Sequence, residues 1–200
     1  MKEIIERCKT VPFMSAALVV VNVVVFLLGL VAGDQLYRGG RLSVVEVLIQ
    51  GEYGRIIWSM FLHSDVNHIF NNMLLLIFLG AMIEREVGHI RYVIFYFLSG
   101  IGGNLLSLLS KIMSNDWSAS IGASGAIFGL DGVLLALVLF SNRKMASVTP
   151  VRVVIMIFLS LYNGFTGQYI DNAAHIGGLL TGFLAGTLMC IVERRRLGRK

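Results

Sequence analysis

One serine, two histidines and one asparagine carry the chemistry that this sequence can do. Ser124 lies in Gly122-Ala123-Ser124-Gly125, at the opening of an apolar run that continues to Phe140. His175 ends Asn172-Ala173-Ala174-His175 at the opening of a second run, and His68 and Asn72 open a third. A serine hydroxyl is a weak nucleophile until a base takes its proton, and an imidazole titrating near neutrality suits that task. His175 is the histidine that the later runs offer for it. Acyl transfer also needs donors aimed at the developing oxyanion. His68 and Asn72 are four apart and share one helix face, so their side chains, with the Ser124 backbone N–H, are candidates for that hole. Blander roles exist for each residue alone. A membrane serine commonly bonds the carbonyl one turn back or packs a neighbour, and His68 and Asn72 would serve as caps or interhelical hydrogen bonds. Together the four favour a Ser–His hydrolase.

The elements that must position them are membrane helices. Hydrophobic residues make up 56% of the 200 and charged residues 14%, against roughly 25% charged in soluble domains. A water-soluble fold of this size has no interior large enough for that apolar surface. Crossing a hydrocarbon core takes about 20 helical residues. Six runs are candidates, over residues 13–31, 67–83, 92–110, 121–140, 151–162 and 173–192, the fifth being short. The first reads as an uncleaved anchor, because Leu30-Val31-Ala32 is a poor signal-peptide cleavage site. No repeat or linker divides the chain, so residues 1–200 read as one all-α transmembrane domain. Cys8 and Cys190 lie in no metal or redox spacing, and the residues call for no metal and no cofactor.

The net charge of +5 reads as membrane orientation rather than nucleic-acid binding. Lys2, Arg7, Lys9, Arg85, Arg91, Arg143, Lys144, Arg152, Arg194, Arg195, Arg196, Arg199 and Lys200 fall on one side of a six-span arrangement; Arg38, Arg41, Arg55 and Lys111 fall on the other. The positive-inside rule puts both termini in the cytoplasm. The second, fourth and sixth runs then point inward, and their polar openings share one depth at the outer boundary. Ser124 is three residues into its run and His175 two into its own. On the sixth helix Gly178, Gly182 and Gly186 fall within about 60° of His175, and the fourth carries Gly125, Gly129 and Gly132. Glycines at such spacing let backbones approach closely. Packing the two strips together brings the histidine to the serine.

These motifs resemble those of the rhomboid intramembrane serine proteases over nearly the whole chain. Gly122-Ala123-Ser124-Gly125 is similar to the family's Gly-x-Ser-Gly motif. Ala174-His175-Ile176-Gly177-Gly178 and Gly182 are similar to its histidine motif, and His68 to Asn72 to its His-x-x-x-Asn motif. His63, Asn172 and Glu84-Arg85 match further family positions. The resemblance implies a six-helix bundle, a Ser124–His175 dyad without an acidic third member, an oxyanion hole of His68, Asn72 and Ser124, and cleavage of transmembrane protein substrates in the bilayer. It also implies a site opening to the extracytoplasmic side, in a membrane of the bacterial plasma-membrane type, with Gly122 and Gly125 in support. Where the family often has a tyrosine stacked on the histidine, this chain has Phe128, which keeps the face and loses the hydroxyl. Gly54-Arg55 replaces a Trp-Arg pair found in some members. The fifth helix and Gly164-Phe165-Thr166-Gly167 are expected to cover the site and open it sideways.

Asp131, seven residues after Ser124, lies too deep to orient His175 and reads as a structural or protonated acid; Asp171 reads as a solvated loop or cap residue. A zinc protease would need His-Glu-x-x-His, and an aspartyl protease a second membrane aspartate; neither is present. A transporter would be expected to show an inverted repeat, and none is visible. The remaining alternative is an inactive rhomboid-like client-binding protein. Such relatives lack the nucleophile or base, and this chain has both.

Overall fold

The computed structural model describes residues 11–141, 149–166 and 170–197. Cys8, Gly167 and the basic residues Lys2, Arg7, Lys9, Arg143, Lys144, Arg199 and Lys200 lie outside the described residues. The described chain is nearly all helical. Helix α1 spans Phe13–Ala32, α2 Asp34–Gly40, α3 Arg55–Trp58, α4 Val66–Val87, α5 His89–Ser114, α6 Ser124–Phe140, α7 Pro150–Thr166 and α8 Asn172–Leu197. Helix α4 widens into a π turn at Leu76–Gly80. The extended segment is an isolated antiparallel bridge between Leu42 and Ser120.

Helices α1, α4, α5 and α8 are long and apolar enough to cross a membrane. Each exposes an apolar face, as Leu180, Leu184, Leu188 and Ile191 do along α8. In lipid such a face needs no covering, provided the backbone polar groups are satisfied within the helix. The chain is an integral membrane protein. Helix α6 has 17 residues, about 26 Å at 1.5 Å per residue, and is the innermost element. Twelve of its residues are buried on all sides, the pattern of a core helix rather than a lipid-facing one. Helix α7 also has 17 residues and meets the core through Val153 and Ile157.

The helix ends follow local chemistry. Asp65 caps α4 by accepting from the His68 N–H at 2.9 Å, satisfying one of the donors that every helix start leaves over. Gly88, at φ 85°, closes α4 and returns its N–H to the Glu84 carbonyl. Buried Glu84 in turn accepts from the N–H groups of Met14 and Ser15 at 3.0 and 2.7 Å and from Ser15 Oγ at 2.6 Å. It therefore caps α1 from a different helix. The expected boundary at residue 121 is corrected. Gly122 takes φ 126°, a conformation open to glycine and costly for other residues, and α6 begins at Ser124. Helices α4, α5, α7 and α8 outrun the expected 67–83, 92–110, 151–162 and 173–192 at both ends, so the fifth span is not as short as the apolar run suggests. Their polar ends fall outside the apolar run but keep the helical hydrogen bonds.

The two glycine strips meet. An added Cβ at Gly178 would stand 1.9 Å from the Gly125 carbonyl oxygen, and one at Gly182 1.9 Å from that of Gly129. A Cβ at Gly132 would stand 2.2 Å from the Leu179 carbonyl oxygen. Helices α6 and α8 therefore touch backbone to backbone. Gly186 completes the seam against Ala136 and Val133.

Candidate active site

The segment before Ser124 is held on both flanks. Ser120 pairs with Leu42 in the bridge, both bonds 2.9 Å, and the Gly122 N–H donates to the Ser59 carbonyl at 2.9 Å. This ties the long 34–65 segment to the serine loop. Arg55, the residue of the unusual Gly54-Arg55 pair, organises that segment from inside. It is buried and donates to Glu52 at 2.5 Å and to the carbonyls of Arg38 and Arg41 at 2.6 and 3.2 Å. Ser124 is thus the first residue of α6 and not three residues inside a helix. Its N–H belongs to the first turn, whose donors lack intrahelical partners.

His175 sits on the first turn of α8. Its Nε2 lies 2.9 Å from Ser124 Oγ. The Phe128 ring stacks on the imidazole with centroids 4.2 Å apart and planes at 17°, so the stacking face is kept without a hydroxyl. His175 Nδ1 is buried without a hydrogen-bond partner, and no described carboxylate orients it. Asp131 is buried in α6, on the turns beyond Phe128, and makes no triad.

His68 and Asn72 reach the same place from α4. An ideal Cβ on Gly122 would stand 2.7 Å from His68 Nε2 and 3.7 Å from Asn72 Nδ2. Glycine at 122 is therefore required twice, by its φ and by the approach of the imidazole. Asn72 Nδ2 is buried with no partner, a donor lying close to Gly122, two residues before Ser124. His63 is fully buried behind them, its ring edge-on to His68 at 5.0 Å, and burial pushes its pKa down to about 4. Neutral His63 supports His68 by packing.

Asp171 is more than a solvated cap. As a cap it accepts from the Ala174 N–H at 2.9 Å. It is half-buried rather than solvated, and its other oxygen accepts from Ser120 Oγ at 2.5 Å and from Ser107 Oγ of α5. One carboxylate joins the serine loop, α5 and the start of the histidine helix. No spacing signal marks Ser107 or Ser120, because their common partner lies 64 and 51 residues away. Asn172 opens α8 and, with Asp171, Ser107 and Lys111, lines a polar pocket of about 460 Å³.

A family model described as the Rhomboid domain matches residues 50–192, a range that includes Ser124, His175, His68, Asn72 and Asp171. The chain belongs to the rhomboid family. Among curated rhomboids it is 41% identical to RHOMBOID-like protein 4 of Arabidopsis thaliana over 157 residues, 76% of this chain and 38% of that one. It is 37% identical to RHOMBOID-like protein 2 of the same plant over 165 residues, 80% of this chain and 50% of that one. To Rhomboid protease GluP of Bacillus subtilis it is 36% identical over 156 residues, 78% of this chain and 30% of that one. The chain thus spans at most half the length of these three rhomboids.

Proposed function

We propose that this rhomboid is an intramembrane serine endopeptidase that hydrolyses peptide bonds in or near transmembrane segments of other membrane proteins. The observation that carries the reading is the 2.9 Å contact between Ser124 Oγ and His175 Nε2. The GluP relative, a rhomboid protease by name, agrees with it.

The reaction uses these groups in turn. Ser124 Oγ attacks the scissile carbonyl carbon while His175 Nε2 accepts the hydroxyl proton. The carbonyl oxygen takes the negative charge and meets the Ser124 N–H, Asn72 Nδ2 and His68 Nε2. Preorganised donors of this kind commonly supply the largest single share of catalysis. The partial positive charge of the α6 N-terminus adds to them. His175 then passes its proton to the leaving amine, the C–N bond breaks, and an acyl-Ser124 remains. Water, deprotonated by His175, attacks the acyl carbon and restores the serine. Phe128 holds the imidazole plane throughout. No cofactor enters this scheme.

In this reading the rhomboid domain spans residues 1–200 and crosses the membrane six times, with α6 and α7 completing the count. Both termini face the cytoplasm, and the site faces the extracytoplasmic side of a plasma membrane. The decisive experiment combines two measurements: labelling of Ser124 by a small fluorophosphonate, and cleavage of a panel of single-span substrates by the purified protein and by Ser124→Ala. Labelling and cleavage that both vanish in Ser124→Ala support the reading. Cleavage that survives in Ser124→Ala overturns it, and binding of clients without labelling means an inactive client-binding protein.

A further inference from the structure

His68 is not a free donor, because its other nitrogen is already engaged by the exposed Ser64 hydroxyl. Ser64 Oγ lies 2.7 Å from Asp65 Oδ2 and 3.1 Å from His68 Nδ1. A carboxylate can only accept, so the single hydroxyl proton of Ser64 goes to Asp65. The Ser64–His68 contact is then a hydrogen bond only if His68 Nδ1 carries a proton and donates it. A neutral imidazole has one N–H. With Nδ1 protonated, Nε2 presents a lone pair to the space beside Gly122, the wrong polarity for an oxyanion.

We propose that Ser64 and Asp65 are positioning residues that lock His68 in its Nδ1–H form, so that His68 serves the oxyanion only as the imidazolium. The alkaline limb of activity then belongs to His68. This rests on the oxyanion role proposed above. Ser64 and Asp65 are both exposed to solvent, so the relay can take up a proton from water. The Ser64 hydroxyl and then the His68 N–H hold the Asp65 carboxyl below its usual pKa, which keeps it an acceptor and a counter-charge near the imidazolium. Among the described residues the other titratable groups facing His68 are His63, packed edge-on, and His175 across the site. His63 stays neutral above about pH 4. His175 must be neutral to act as base, so its protonation sets the acid limb instead.

The experiment is the rate of Ser124 labelling by a small soluble fluorophosphonate, followed from acid to alkaline pH in the full chain. The intact protein should label fastest at intermediate pH and lose rate on the alkaline side. Asp65→Asn keeps a capping oxygen for α4 but reverses the relay. The introduced side-chain amide donates to Ser64, and Ser64 donates to Nδ1, leaving the neutral ring with Nε2–H. Ser64→Ala removes the lock while leaving the cap untouched. In both variants the alkaline limb should disappear. On the acid side of neutrality, where the intact protein holds the imidazolium, labelling of the variants should be roughly tenfold slower, less than the about 10²–10³ that outright loss of an oxyanion donor costs; at alkaline pH, where the intact ring offers only a lone pair, the variants should label faster. An intact protein with no alkaline limb, or variants that keep it unchanged, overturns the proposal. Failure of any form to label, with or without His175, would instead remove the dyad reading on which it stands. His68→Ala separates the two: it should lower the rate and lose the alkaline limb together, and an undiminished rate sinks the oxyanion role itself.

Discussion

The Gly178 backbone rests on the carbonyl oxygen of Gly125, so closely that an added Cβ would lie 1.9 Å from it. Gly125 follows Ser124, and Gly178 is one turn beyond His175, so the packing of α6 on α8 sets the serine–histidine distance. Gly178→Ala has no flexible side-chain end to displace and must push the helices apart. We expect cleavage to fall about 10²-fold, the scale of a 1 Å misplacement, with a stability loss of about 1–3 kcal/mol. Cleavage rate and thermal unfolding in detergent measure the two.

On the proposed function Asn72 serves the oxyanion through its buried, unpartnered Nδ2. Asn72→Ala should lower turnover by about 10²–10³ and leave KM nearly unchanged. Steady-state kinetics on one substrate decides it. A raised KM with turnover intact would make Asn72 a substrate-binding residue.

Asp171 links Ser120, Ser107 and the N-terminus of α8. Asp171→Ala should cost about 1 kcal/mol as a lost cap and lower the cleavage rate beyond that through a looser serine loop. Asp171→Asn keeps an acceptor oxygen and should recover most of the stability and part of the rate. Parallel thermal unfolding and cleavage assays separate the contributions.

Buried His63 makes folding stability sensitive to acid. Its pKa falls from 6.5 to about 4 on burial, so the unfolded chain binds the proton more tightly than the folded one. Stability is full above pH 6.5 and is lost as pH falls toward 4, by roughly 3 kcal/mol at 1.36 per unit. A His63→Gln variant should show a flatter thermal-stability profile across that window.

On the proposed function a membrane-embedded substrate enters sideways, and α7, which meets the core through Val153 and Ile157, is the candidate gate. Cross-linking α7 to α4 through an engineered cysteine pair should block cleavage of a transmembrane substrate when oxidised and restore it when reduced. Labelling of Ser124 by a small soluble probe should persist in both states. Unchanged cleavage with a verified cross-link would rule out α7 as the gate.

Much of this rhomboid is legible in its sequence because lipid imposes simple rules. Apolar runs mark helices, since backbone polar groups in the membrane must be satisfied internally, and polar residues within those runs stand out because they are costly there. That is how Ser124, His175, His68 and Asn72 are found, and the four-residue glycine spacing on α8 names the seam that joins two of them. The start of α6 is not legible. Ile121-Gly122-Ala123 is as apolar as the helix it precedes, and hydropathy carries no signal for a left-handed turn. Only the packed structure shows Gly122 at φ 126° under His68, which makes Ser124 the head of a helix. The same holds for the polar links at the outer rim. Asp171 looks like a cap from its neighbours in sequence, and its bonds to Ser107 and Ser120 exist because α5, the serine loop and α8 converge there. Ser64 and Asp65 look like ordinary helix-entry residues until the His68 rotamer turns Nδ1 toward them and Nε2 toward Gly122. Residue types set the available chemistry; the long-range contacts decide which atom of each residue faces which.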